Sequence, residues 1–531
     1  MRIRLLLPLL ALAGLLLFSY AQAAPGVSRV SVDSVGNESD GLTDSAVVSA
    51  DGNFVAMSSV ATNLVGGDAN GVADIFLHDR PTGATTRVSV DSGGGEANGT
   101  SAWPAVSSDG DDVAFASLAT NLVASDTNDA WDVFVHDGVG TTRVSVDSVG
   151  TEADAASFFS SISGDGNYVA FYSLATNLVA GDTNGSLDVF VHDRTTGATE
   201  RVSVDSGGGE GNMDSADPSI SSDGRYVAFA SQASNLVAGD TNGSWDVFVH
   251  DRDTGTTSRA SVATGGAQGG DDSWYPAISG DGDYVAFESL ATNLVAGDSN
   301  GVWDVFVRNL ATGATSRVSV SSASAQAGDS SYGAAISSDG QYVVFASLAG
   351  DLSASDTTVS SDIFVRDRTA GTTSLVSVDS GGDQGDSHSY SPTISGDGLV
   401  VAFVSEADDL VAGDTNGQPD AFANEGLISA AAARTPCGTD TDCDGFADAV
   451  ETYVGTDPLD NCSDDAADAA NPLDMNNSGI ITTGDVGPYY RGKIPLAVEN
   501  STLQRLDLNV SGTVTIADTQ NYRGKIPSAC E

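Results

Sequence analysis

Three short stretches near the C-terminus carry oxygen-bearing side chains at alternate positions, the spacing with which a loop wraps a hard cation. In DTDCDGFADAVE, residues 440–451, Asp440, Asp442 and Asp444 stand at positions one, three and five, with Gly445 at six. The carbonyl of Phe446 falls at seven, Asp448 at nine and Glu451 at twelve. Alternate positions converge because the loop curls round the ion. The glycine permits the sharp turn, and a terminal glutamate can bind through both oxygens. LDMNNSGIITTGD places Asp474, Asn476 and Ser478 at one, three and five, Ile480 at seven for its carbonyl, and Asp485 at twelve. LDLNVSGTVTIAD does the same with Asp507, Asn509, Ser511, Thr513 and Asp518. The expected ion is calcium, held most tightly by the first loop, which has the most carboxylates.

These loops carry two resemblances. Glu451 and the GTDPLDNC that follows resemble calcium repeats of the thrombospondin type 3 kind. The paired loops, each followed by YRGKIP (490–495 and 522–527), resemble a dockerin module. That resemblance implies short helices and a cohesin-like partner. The partner-facing positions would map to Thr483-Gly484 and Ile516-Ala517, and serine at position five, where dockerins usually carry aspartate, implies weaker affinity. The alternative is a calcium clip that only stabilises. All four cysteines, Cys437, Cys443, Cys462 and Cys530, fall in this region. Four cysteines predict two disulfides with three possible pairings. A small α-helical calcium-loop domain is therefore expected over 437–531, behind an alanine-rich linker at 428–436.

Upstream the chain repeats itself. An Asp-Gly pair recurs at Asp51, Asp109, Asp165, Asp223, Asp281, Asp339 and Asp397, every 58 residues with one step of 56. Each repeat reads as four strands; in one of them these are PSIS (218–221), YVAFAS (226–231), DVFVHD (246–251) and TTSRASV (256–262). Valine, phenylalanine and threonine fill these runs, and Gly, Asp and Asn punctuate them. The second and third strands alternate weakly, as expected of sheets covered on both faces. A period of this length predicts a mainly β chain, a seven-bladed β-propeller over residues 24–427. The SxDGxxVAF and D[VI]F[VL]xD strands resemble the TolB-like propeller repeat, a family that implies a fold and little chemistry.

The seventh repeat lacks its fourth strand: GLISAAAARTP follows DAFANE. SRVSVDS at 28–34 supplies the missing type, so the first segment should close the last blade and leave no open edge. Residues 1–23 read as an export signal, with Arg2 and Arg4, an apolar run from Leu5 to Phe18, and Ala21-Gln22-Ala23. The apolar run is short for a membrane span, and an exported, non-inserted protein is expected. Net charge is −52, which argues against nucleic acid or anionic membrane as partners.

A propeller places its two long loops on one face, where a partner is expected. Just before each innermost strand's Asp-Gly, five of seven repeats carry an aromatic, giving Trp103, Phe158, Phe159, Trp274, Tyr275, Tyr332 and Tyr390. These could rim the axis and grip a glycan or peptide, or could simply pack between blades. The long loops also carry Asp-x-Asn-Gly-x-x-Asp, as at Asp182, Asn184 and Asp188, which would suit either calcium or an Asx-turn. His78, His136, His192 and His250 share one strand position, taken later by Arg308, Arg366 and Asn424. That periodicity points to structure rather than catalysis. Propellers of this kind that cleave polysaccharides carry clustered histidines with a channel metal, which this sequence lacks. The expectation is a non-enzymatic binding protein. The alternative is a polysaccharide-degrading component tethered by its tail.

Overall fold

In a computed structural model, residues 26–426 are described. The export signal, the calcium loops, the dockerin-like repeat and all four cysteines lie outside the described residues. Within them the chain forms seven four-stranded antiparallel sheets and no helix. This is a seven-bladed β-propeller.

One blade explains the rest. In blade three the inner strand is Ser157–Ile162, followed by Tyr168–Ser173, Asp188–Asp193 and Ala198–Arg201. The first turn is closed by the serine and aspartate of its Ser-x-Asp-Gly motif. Ser163 Oγ donates to Asp165 at 2.7 Å, and Asp165 accepts from the Asn167 N–H at 3.0 Å. Gly166 takes φ +71°, a left-handed conformation that costs glycine little. The second and third strands are buried along nearly their whole length, because each sheet packs against both neighbours. Facing phenylalanines of these two strands stack at 5.9–6.0 Å in six blades, and Met57 opposes Phe76 in blade one.

The ring closes as the first segment predicts, through a shorter strand. Gly26–Arg29 pairs antiparallel with Asp420–Glu425, with Gly26 opposite Glu425 and Arg29 opposite Phe422. The following Ser31 leaves the strand to donate its hydroxyl to Asp420, so the expected 28–34 strand ends early. Inner strands begin earlier than expected: Ser215–Ile220 includes Asp217 and Pro218 at a break in register between Ala216 and Ser219. Proline lacks the N–H that a regular ladder needs, and a bulge on an edge strand accommodates it.

On the face of the short turns, the Asp-Gly turns of neighbouring blades are linked by backbone hydrogen bonds all the way round. The bonds run Asp51 to Ser108, Ser108 to Gly164, Gly164 to Ser222, Ser222 to Gly280, Asp281 to Ser338, Ser338 to Gly396 and Gly396 to Ala50. The residue before each Asp alternates: Ala50, Ser108, Gly164, Ser222, Gly280, Ser338, Gly396. A Cβ on Gly280 would lie 2.7 Å from the hydroxyl of Ser222 and of Ser338. This collar narrows the axis at that face.

The periodic histidines join blades. His78 Nδ1 lies 2.9 Å from Thr85 Oγ1, and that hydroxyl donates to the Val32 carbonyl of the neighbouring blade at 2.5 Å. Since the hydroxyl proton is committed, the ring nitrogen is the donor. Arg308 and Arg366, also donors, reach Thr315 and Thr373 in the same way. In blade seven Asn424 bonds the Val376 carbonyl directly.

Candidate functional site: the axial mouth

The opposite face carries the long loops. The end of each second-to-third-strand loop meets the start of the next inner strand, as where the Ser157 N–H bonds the Trp131 carbonyl and the Ser273 N–H that of Trp245. Here the Asp-x-Asn-Gly loop is an Asx-turn. The Asn184 side-chain Oδ1 accepts from the Ser186 N–H at 2.7 Å, and its Nδ2 donates to Asp188 at 2.9 Å. Asp182, Asp188 and Glu210 place carboxylate oxygens within 4.8 Å of one another, a spacing that could hold a metal. A guanidinium already stands among them: Arg201 Nη1 is 3.5, 3.4 and 2.6 Å from the three. Burial and the Asp188 charge push Asp182 up to about 6. Burial also opposes ionisation of Glu210, but hydrogen bonds from Thr183 and the Arg201 charge bring it down to about 2. In blade six, where Leu375 replaces the arginine, the Gln384 amide donates to Asp356 at 2.8 Å and to Asp362 at 2.7 Å.

Nearer the axis, the inner-strand bulges hold side chains at strained backbone positions. Trp103, Phe159, Asp217, Tyr275 and Ser391 have φ of 54°, 41°, 52°, 47° and 51°. Large side chains rarely adopt this conformation, and such strain concentrates at binding sites. It fixes where the rings stand. Trp103 stacks on Phe159 at 4.3 Å and approaches Trp131 at 5.0 Å, and Phe159 stacks on Tyr172 at 5.7 Å. Phe158 meets the edges of this stack. A second group follows, with Trp245 on Trp274 at 3.8 Å and Tyr275 beside it, 54% exposed.

Tyr332 and Tyr390 hold the corresponding inner-strand position in blades six and seven. The Tyr332 hydroxyl donates to Ser361 at 2.8 Å, and Tyr390 packs against the core formed by Val30, Ala46 and Val404. His388 Nδ1 accepts the Ser361 N–H. In blade one the hydroxyls of Thr43, Ser45 and Ser58 are buried and have no partner among the described residues. The mouth thus has an aromatic arc over blades two to five.

Trp131, Trp245, Tyr172 and Glu288 belong to this mouth and escape a search for the inner-strand pairs, whereas Asp217 stands at one of those paired positions. Their signal is variation at fixed places in the repeat. The residue before the third strand runs Ala73, Trp131, Leu187, Trp245, Trp303, Ser361, Pro419, and the fifth residue of the second strand runs Ser58, Ala116, Tyr172, Ala230, Glu288, Ala346, Val404. Glu288 is 6% exposed and accepts the Gly333 N–H at 3.2 Å. Burial lifts it to about 7, and the nearby Asp217 charge adds to the push. Burial lifts Asp217 itself to about 6.

No protein-family model matches the chain, and no curated protein matches its sequence. Among solved structures, an oligogalacturonate lyase in complex with manganese is similar at 12% identity and a TM-score of 0.47, covering 76% of this chain and 94% of that one. The β-propeller domain of the Trilobed protease from Pyrococcus furiosus is similar at 10% identity and 0.45, covering 73% and 96%. A putative TolB from Agrobacterium tumefaciens is similar at 16% identity and 0.33, covering 52% and 80%.

Proposed function

We propose that this is an exported binding protein whose propeller grips a glycan or peptide segment at the axial mouth on the long-loop face. The observation that supports it is the stack Trp131–Trp103–Phe159–Tyr172, held in part by residues in the left-handed region. A half-buried row of stacked rings offers apolar edges and end faces along which an extended ligand can lie. On this reading no chemistry is done on the ligand. The tail over 437–531 takes calcium through its three loops and docks or stabilises the chain.

Retention on immobilised glycan and peptide panels tests the proposal. The protein should bind one class, and Trp103→Ala with Phe159→Ala should abolish retention while the strand signal in circular dichroism persists. Retention that survives the double variant, or catalytic turnover of the retained ligand, would overturn it.

A further inference from the structure

Wherever else this propeller draws carboxylates together away from water, it supplies its own counter-group. Arg29, Arg87, Arg143, Arg201, Arg259 and Arg317 each stand within 4.0 Å of at least two carboxylates in their own blade's cluster. Gln384 substitutes in the blade without an arginine. The remaining arginines of the described residues are engaged at the short-turn face. Arg80, Arg194, Arg252 and Arg368 donate to the carbonyls of the Asp-Gly turns, Arg225 pairs with Asp251, and Arg308 and Arg366 serve the threonines. The chain's two lysines, Lys493 and Lys525, lie outside the described residues.

Asp217 and Glu288 are the exception. Asp217 sits on the bulge of blade four, between the aromatic bulges of Phe159 in blade three and Tyr275 in blade five. Glu288 lies opposite Trp274 on the second strand of blade five, at the repeat position that Tyr172 fills in blade three. Among the described residues, nothing donates a hydrogen bond to the Asp217 carboxylate, and Glu288 receives one from a backbone N–H at 3.2 Å. No arginine reaches either. A buried and a half-buried carboxyl without a counter-charge, beside the mouth's rings, leave a site that is electrostatically incomplete.

We infer that the ligand completes it: the group taken at Asp217 and Glu288 is an organic ammonium cation, held by the carboxylates and by the rings of Tyr172 and Tyr275. This rests on the binding reading above and sharpens it. Ring faces attract an alkylammonium through their quadrupole, and flanking carboxylates orient it. A hard divalent ion wants six to eight oxygens, which two carboxylates do not provide. The same cation could be borne on an amino sugar or on a lysine side chain.

Titration calorimetry on the full chain separates these sources. The probes are a glucosamine tetramer with its N-acetylated counterpart, a lysine-containing tetrapeptide with its Nε-acetylated counterpart, and calcium chloride alone. One ammonium probe should bind, and its acetylated counterpart should bind at least about tenfold more weakly. Asp217→Asn and Glu288→Gln, which preserve shape, should each weaken the ammonium probe by a similar factor with circular dichroism unchanged. Phe159→Ala should weaken it as well. Equal binding of the acetylated counterpart, or indifference to both carboxyl variants, overturns the inference. If that binding still depends on Phe159, the broader binding reading stands without it. Binding of neither ammonium probe also overturns the inference, as does calcium binding that is lost in the carboxyl variants.

Discussion

His78 shows how a ring nitrogen can be structural and still leave a mark on pH dependence. Burial lowers it to about 4, and its Nδ1–H is spent on Thr85. An unfolded chain would bind its proton near pH 6.5. Between these values the unfolded state holds more protons, so this group's stability is present above about pH 6.5 and is lost as pH falls towards 4. Burial lowers His136, His192 and His250 in the same direction. Arg308 fills the corresponding place with a donor that stays charged. His78→Arg should therefore keep the inter-blade link and remove the titration. In urea denaturation at pH 7 and pH 4.5, the acid loss should shrink by roughly 1–3 kcal/mol relative to the parent. An unchanged difference would mean that His78 does not titrate across this range. The raised carboxyls Asp182, Asp217 and Glu288 act with the opposite sign, favouring the folded state at acid pH, so the parent–variant difference is the informative quantity.

The inner strand is the element where sequence and structure part company. Its core half was legible: Ile220 and its counterparts sit just before an Asp-Gly turn and point into the inter-blade core. Its mouth half was not. The expected strand at 218–221 starts after these residues, whereas a bulge brings them into the strand with positive φ. The hint was a proline in four of the inner strands, Pro104, Pro218, Pro276 and Pro392. The candidate site was partly readable for the same reason. Trp103, Phe159, Trp274 and Tyr275 could be picked out by type, as could Tyr390, which is half-buried against the core of Val30, Ala46 and Val404. Glu288 lies on a strand whose other residues are mostly apolar, and its relation to Asp217 exists only once blades four and five are side by side. Where the bulge carries no ring, its strain should be removable. Ser391 is exposed at φ 51°, and Gly333 takes the same place in blade six. Ser391→Gly should stabilise the propeller by about 0.5–1 kcal/mol in chemical denaturation, since the left-handed penalty exceeds the added freedom of the unfolded chain. A destabilised variant would mean that the serine side chain makes a contact worth more than the strain.

At the scale of the ring, the count of blades and the closing strand were legible because each repeat carries the same punctuation and only the seventh runs short. Closure carries the most testable consequence. Removing residues 26–34 strips the outer strand from blade seven, including the bond from Ser31 to Asp420 and the ion pair of Arg29 with Glu38 at 2.7 Å. A loss of several kcal/mol is expected, the scale for exposing a sheet edge and its packing. An unchanged melting curve would show that the last blade holds without its fourth strand. The collar of Asp-Gly turns carries a different consequence, one of parity. Serine and glycine alternate around it from Ser108 to Gly396, each glycine making room for the serines beside it. An odd ring cannot be coloured with two colours, and the mismatch is absorbed at Ala50, in the blade beside the seam. A repeat duplicated alone would set two like neighbours against each other at the axis, a hole or a clash. A duplicated pair would slide in without either, so in this ring the natural unit of growth is two blades, not one.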